Sequence, residues 1–223
     1  LPGIDFSYRR RVEDDLPRLR IAYSRTLGVT RVQPDVAREV DAGVNAFREM
    51  GHEVEEIDDT IEDLGAWWAK ISAWNTVASK WELFSTRHDD FGKAAIDSMD
   101  RGLATNPSDF GTFNRLRREL SNWTWRLFER YDLLLTPTLP TEAFAAEGPL
   151  PMELDGERFS PIAFTYPFNF TGHPAASVRA GLTDAGLPCG LQIVGPRHRD
   201  DVVLQASRMY EDIRPWVGVW PQL

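Results

Sequence analysis

The sequence predicts an α/β fold, a mixed β-sheet flanked by helices on both faces. Three patterns carry this prediction: a strand, helix, strand unit within residues 1–60, helical periodicity over 61–131, and paired strand patterns at 176–195 followed by a helix. Helices placed between strands act as crossover connections, and crossovers cover the faces of a sheet.

The elements follow in order. Residues 1–17, with Pro2, Gly3 and Pro17, read as an extended lead-in. "LRIAYS" (19–24) has strand character, and residues 28–34 make a turn. Asp35 can cap a helix running to about Met50, because Val36, Val40, Val44 and Phe47 recur at helical spacing. Gly51 ends that helix, and "HEVEEID" (52–58) alternates as a strand does.

Helical patterning then dominates. Trp67, Ile71, Trp74, Ala78, Trp81 and Phe84 recur every three or four residues on one face; such a stripe could line a substrate funnel, but a packed core face is the commoner use and the one expected. "NPSDFGTF" (106–113) reads as an interruption, with a further helix over 113–130. "DLLLTPT" (132–138) is a short buried strand halted by Pro137. Residues 139–161, rich in Pro, Glu and Gly, read as a long irregular connection. Next comes "FTYPFNFTGHPAASVRAGL" (164–182), which is too apolar for a solvated loop and too interrupted for a helix or a plain strand. Strands at 176–180 and 189–195, joined by "DAGLP", form a hairpin, and a helix over 200–213 closes the series.

Composition restricts the function. The net charge of −9 argues against nucleic acid as a partner, because phosphate binding needs a clustered basic surface. The only tight basic run, Arg9, Arg10 and Arg11, is followed at once by Glu13, Asp14 and Asp15 and reads as self-neutralised. No apolar run approaches the ~20 residues of a membrane helix, so no membrane partner is expected. The one cysteine, Cys189, cannot form an internal disulfide; with no signal-peptide pattern present, this predicts a cytoplasmic setting. Leu1 is not an initiator Met, which leaves room for an upstream piece.

A search for complete catalytic machinery finds none. There is no Gly-x-Ser-x-Gly elbow, no Walker loop and no dinucleotide fingerprint. "HRD" and "DFG" occur, but in the wrong order for a kinase. His52, His88, His173 and His198 are scattered, so metal-ligand spacing is absent and no metal is expected. Cys189, between Pro188 and Gly190, reads as a small core residue, and His173 as a packed or hydrogen-bonded structural group.

Several segments in fixed order resemble the C-terminal half of the amidase signature family, the amide hydrolases with a Ser-Ser-Lys triad. They are "LRIAYSRTLG" (19–28), "VAREVDAGVNAFREMGHEVEEID" (36–58), "YDLLLTPTLP" (131–140), "FTYPFNFTGHPAASVRAGLT" (164–183) and "GLPCGLQIVGPRHRDDVVLQAS" (186–207). The resemblance implies one portion of an amidase signature domain over 1–223: a strand-helix-strand unit at 1–60, a substrate-variable helical region at 61–131, and a sheet-completing, pocket-wall region at 132–223. It also implies where the chemistry lies. The family's triad sits in a Gly- and Ser-rich N-terminal half, whereas this chain has no Ser-Ser pair and no Gly-Gly-Ser run. Its only lysines, Lys70, Lys80 and Lys93, lie in the variable region. No catalytic residue is therefore carried over, no cofactor is expected, and the chain alone is expected to be inactive.

What the resemblance assigns to this chain is one wall of the substrate cleft, with Tyr166, Phe168, Asn169 and Thr171 as substrate-binding residues. Asn169 suits either of two roles, contacting a polar ligand or tying down non-regular backbone. Arg179 stands where the family usually has a strand-ending Pro, which puts local geometry in doubt. The expected partners are a small amide substrate and the missing N-terminal half of the same polypeptide. A cut sheet edge also predicts self-association. Two alternatives stand beside the hydrolase: a transamidating protein that makes amidated aminoacyl-tRNA as part of an amidotransferase, and a non-enzymatic ligand-binding lobe, which "LRIAYS", its helix and "HEVEEID" would also suit.

Overall fold

The computed structural model describes residues 5–148 and 151–216. They divide into two compact units, one formed by residues 5–62, 122–148 and 151–216 and the other by 63–121.

The larger unit is built on a five-stranded sheet of order β2-β1-β3-β7-β6. β1 (Arg20–Tyr23) runs parallel to both β2 (Glu53–Glu56) and β3 (Leu133–Pro137). β7 (Pro188–Val194) is antiparallel to β3 and to β6 (Ala175–Leu182), so the sheet is mixed. The parallel pair β1–β2 is joined by α2 (Pro34–Glu49), as the crossover pattern requires. Val36, Val40, Val44 and Phe47 of α2 are all buried, in one cluster with Ile21, Tyr23, Leu133, Leu135, Leu191 and Ile193. α7 (Asp200–Ile213) adds Val202, Val203, Ala206 and Tyr210 to the same cluster, and Tyr210 stacks on Phe47 at 5.6 Å. Cys189 is also buried there, and burial pushes its thiol up. The opposite face is met by the chain around α6 (Tyr166–Thr171): the buried Gln192 amide of β7 donates to the Phe164 carbonyl.

Several local expectations change. Residues 8–11 form one helical turn, α1 (Tyr8–Arg11), inside the expected extended lead-in. Two short strands, β4 (Glu153–Leu154) and β5 (Glu157–Arg158), pair within the stretch read as irregular. Most consequential, the "YPFNFT" run is a helix, α6. Pro167 falls in its first turn, where a missing N–H costs nothing. Gly172, at φ 66°, then ends it in the left-handed conformation that favours glycine. Pro167 and Gly172, which would interrupt a helix from within, are thus its start and stop. Arg179 does not end its strand either: β6 continues to Leu182 past a bulge between Arg179 and Gly181.

The second unit contains α3 (Gly65–Thr86), a 3₁₀ turn (His88–Asp90), α4 (Lys93–Leu103) and the start of α5 (Pro107–Arg130). The expected break at 106–113 is instead the beginning of α5. The Asp109 N–H donates to Asn106 Oδ1 and the Asn106 N–H to Asp109 Oδ2, a reciprocal cap around Pro107. The predicted single stripe on α3 is also corrected. Ile71, Ala73, Val77 and Phe84 are buried, but Ala78 and Trp81 are exposed, Trp81 by 55%. The helix kinks at Lys80 (φ −119°, ψ 17°), so a phase counted through it does not persist. α4 packs on α3 where Gly102 meets the Ala73 backbone; a Cβ at Gly102 would lie 2.7 Å from it.

Candidate functional site

The sheet register brings four polar residues to one place. Ser177 of β6 pairs with Gln192 of β7, which pairs with Thr136 of β3, so the three stand in a row across three strands on one face. Thr138, two residues beyond Thr136, shares that face by the two-residue period of a strand. Its hydroxyl lies 2.7 Å from Ser177 Oγ. Gly190 makes room for the pair, because a Cβ there would sit 2.7 Å from both hydroxyl oxygens.

The two amide hydrogens of Gln192 are committed. Nε2 donates to Thr136 Oγ1 at 2.9 Å and to the Phe164 carbonyl at 2.8 Å. The Thr136 hydroxyl in turn donates to the Pro137 carbonyl. Since a carbonyl can only accept, this network fixes which end of the Gln192 amide is nitrogen. It also anchors the chain leading into α6 against the sheet.

A cleft of about 270 Å³ opens between this polar row and α6. Thr138, Ser177 and Gln192 line the sheet side, together with Ala175 and Ala176; Thr165, Phe168, Asn169 and His173 line the other. Of the four residues predicted for substrate binding, the structure places Phe168 and Asn169 at the cleft. Asn169 is exposed and its Nδ2 donates to the Thr165 carbonyl at 3.0 Å, leaving Oδ1 and one N–H uncommitted by that bond. Tyr166 and Thr171 are buried behind the lining, Tyr166 edge-on to Phe170. Thr171 supports the cleft indirectly, since its hydroxyl donates to the Pro167 carbonyl and meets His173 Nδ1 at 2.8 Å.

His173 is held on two sides. Its ring stacks on Phe128 with centroids 5.1 Å apart, and Nδ1 engages Thr171. Burial first, and the neighbouring Arg197 cation second, push its pKa down to about 4, so it is neutral at neutral pH. Arg197 in turn donates through Nε to the Thr171 carbonyl, at the end of α6. The cleft is therefore half polar but carries no ionised side chain in its lining.

A second depression, of about 200 Å³, lies beyond the C-terminal ends of β1 and β2, between residues 24–28 and 56–60. Arg25 there pairs with Asp41 at 2.9 Å, and the Tyr23 hydroxyl donates to the same carboxylate at 2.6 Å. Among the described residues, no group of three His, Cys, Asp or Glu side chains is placed to hold a metal ion. No helix of the described residues is long and apolar enough to cross a membrane.

The family model described as Amidase matches residues 2–204. The chain is similar to an acylamidase from Rhodococcus erythropolis, 30% identical over 227 residues, covering 96% of this chain and 46% of that protein. It is also similar to a component of the glutamyl-tRNA(Gln) amidotransferase from Streptococcus equi subsp. zooepidemicus, 27% identical, covering 92% of this chain and 46% of that protein. Among solved structures, a bacterial aryl acylamidase of the amidase signature enzymes aligns at TM-score 0.83 and 28% identity, covering 96% of this chain and 47% of that one. The chain spans about half the length of the curated relatives it matches. With more than half of its residues under the family model, the chain belongs to the amidase, or amidase signature, family.

Proposed function

We propose that this chain supplies the C-terminal wall of the substrate cleft in an amidase that hydrolyses a carboxamide, or an acyl or aryl amide, to a carboxylate and ammonia or an amine. The observation that carries the reading is the uncharged cleft between α6 and the Thr136–Gln192–Ser177 row, in a chain of amidase descent. Hydrolysis of an amide needs an activated nucleophile and donors for the developing oxyanion. The chain has no paired serines, and the relatives are about twice its length. We therefore place the Ser-Ser-Lys triad in an upstream segment of the same polypeptide, and the chain alone is inactive. Phe168 and Asn169 contact the substrate, while Tyr166 and Thr171 shape the wall from behind. Hydrolysis is favoured over aminoacyl-tRNA transamidation by the acidic charge of −9, which suits a nucleic-acid substrate poorly, and by the identity over nearly the whole chain, 30% to the acylamidase against 27% to the amidotransferase component.

Filling the cleft tests this. In the complete polypeptide, Asn169→Trp places a bulky ring on the exposed face of α6 that lines the cleft. KM for an anilide such as acetanilide is expected to rise by about tenfold, the scale of one lost substrate contact, with the fold unchanged by circular dichroism. Unaltered kinetics would remove this cleft from the substrate path.

A further inference from the structure

The hydrogen bonds around His173 determine which of its nitrogens carries the proton. Thr171 has one hydroxyl proton, and it is donated to the Pro167 carbonyl at 2.9 Å. The Thr171 oxygen can then only accept from His173 Nδ1, 2.8 Å away. In the neutral ring Nδ1 therefore bears the hydrogen, and Nε2 carries a lone pair. Among the described residues Nε2 has no hydrogen-bond partner and is not fully buried, and the ring it belongs to lines the cleft.

Gln192 reaches the same condition by the same logic. Both of its amide hydrogens are consumed by Thr136 and Phe164, which leaves Oε1 as its only free polar atom. Oε1 too is not fully buried, although Gln192 as a whole is, and Gln192 lines the cleft from the sheet side. Two uncharged acceptors on opposite walls, each with its donor capacity spent on the fold, make a site that reads N–H groups.

We propose that His173 Nε2 and Gln192 Oε1 are specificity determinants that accept hydrogen bonds from the N–H of the scissile amide, so that the enzyme prefers primary and secondary amides over tertiary amides and esters. The proposal rests on the reading that this cleft holds the substrate. Thr171 acts as a positioning residue: it touches no substrate and holds His173 in the tautomer that leaves Nε2 free. A ligand with a hydrogen to donate gains one or two bonds here. An N-alkylated or ester analogue gains none and leaves partly buried acceptors unsatisfied, which is the larger penalty.

The test compares three substrates in the complete polypeptide: acetanilide, N-methylacetanilide and phenyl acetate. The wild type is expected to favour acetanilide over N-methylacetanilide by well over tenfold in kcat/KM. His173→Phe keeps the ring on Phe128 but removes the acceptor. It is expected to lower kcat/KM for acetanilide about tenfold more than for phenyl acetate. Equal losses on both substrates would assign His173 a merely structural role and overturn the inference. No change on either substrate would also overturn it; if Asn169→Trp were then silent as well, the cleft reading would fall with it, whereas a raised KM in Asn169→Trp would leave that reading standing. Nitrogen-15 NMR of labelled histidine in the wild-type protein gives a readout that needs no variant to fold. The spectrum at neutral pH is expected to show the Nδ1–H tautomer for His173. An Nε2–H tautomer or an imidazolium ion would refute the proposal. Thr171→Val should shift the population toward Nε2–H and reduce the preference for acetanilide in parallel.

Discussion

Replacing Gln192 with leucine isolates the interaction that anchors α6 to the sheet. The substitution nearly conserves volume but deletes both donors, the 2.9 Å bond to Thr136 Oγ1 and the 2.8 Å bond to the Phe164 carbonyl. Gln192 is 4% exposed, and Thr136 and Phe164 are fully buried, so water cannot readily replace the lost partner. A buried acceptor stripped of its donor costs about 1–3 kcal/mol, and two are stripped here. The leucine regains some apolar burial, which brings the expected net loss to about 2–4 kcal/mol. Urea unfolding of the complete protein measures it, read as a lower midpoint with an unchanged m-value. Thr136→Val completes a double-mutant cycle, with an expected coupling of about 0.5–1.5 kcal/mol for the one shared bond. A loss below about 0.5 kcal/mol, or strict additivity in the cycle, would refute the reasoning that this network holds α6 in place.

Gly190→Ala drives a methyl group to within 2.7 Å of both the Thr138 and Ser177 hydroxyls, so a loss of about 1–3 kcal/mol and separation of that pair are expected; thermal unfolding checks the first and a crystal structure the second. Acid should destabilise the fold through two histidines. His173 falls from its ordinary 6.5 to about 4 in the folded state, and burial also lowers His52. Below about pH 6.5 the unfolded chain binds protons that the fold refuses, so stability drops as pH falls toward 4. His173→Phe should flatten that slope in pH-dependent urea unfolding, and an unchanged slope would contradict the assignment. Gly172→Ala, at φ 66°, should cost about 1 kcal/mol by straining the end of α6, measurable in the same assay.

The parts of this fold that rest on uninterrupted periodicity were legible in the sequence. Val36, Val40, Val44 and Phe47 define the buried face of α2 without ambiguity, and "LRIAYS" and "CGLQIVG" are strands bounded by turn residues. α6 was not legible because Pro167 and Gly172 have two meanings. Each breaks a helix from inside and marks one from its ends, and only the position of the neighbouring sheet decides between these. The same ambiguity hid the start of α5 behind Asn106 and Pro107. Half of the cleft had a weak signal: Gln192 is the one polar residue in an apolar strand, and Thr136 and Thr138 share a face by their spacing. What the sequence could not supply was the register that sets Ser177 beside them. The bulge between Arg179 and Gly181 inserts a residue, and a one-residue shift exchanges the two faces of a strand. Tyr166 and Thr171 fell behind the wall for a related reason: once residues 166–171 are helical, only part of their circumference meets the cleft.

If this chain shapes an amide cleft while its catalytic groups lie upstream, the two parts separate in a single assay. Anilide hydrolysis is measured side by side for the 223-residue chain and for the complete polypeptide. Turnover by the complete polypeptide, abolished when its upstream serine is replaced, and no turnover by the chain alone is the predicted result. Serine-dependent turnover by the 223 residues alone would contradict it.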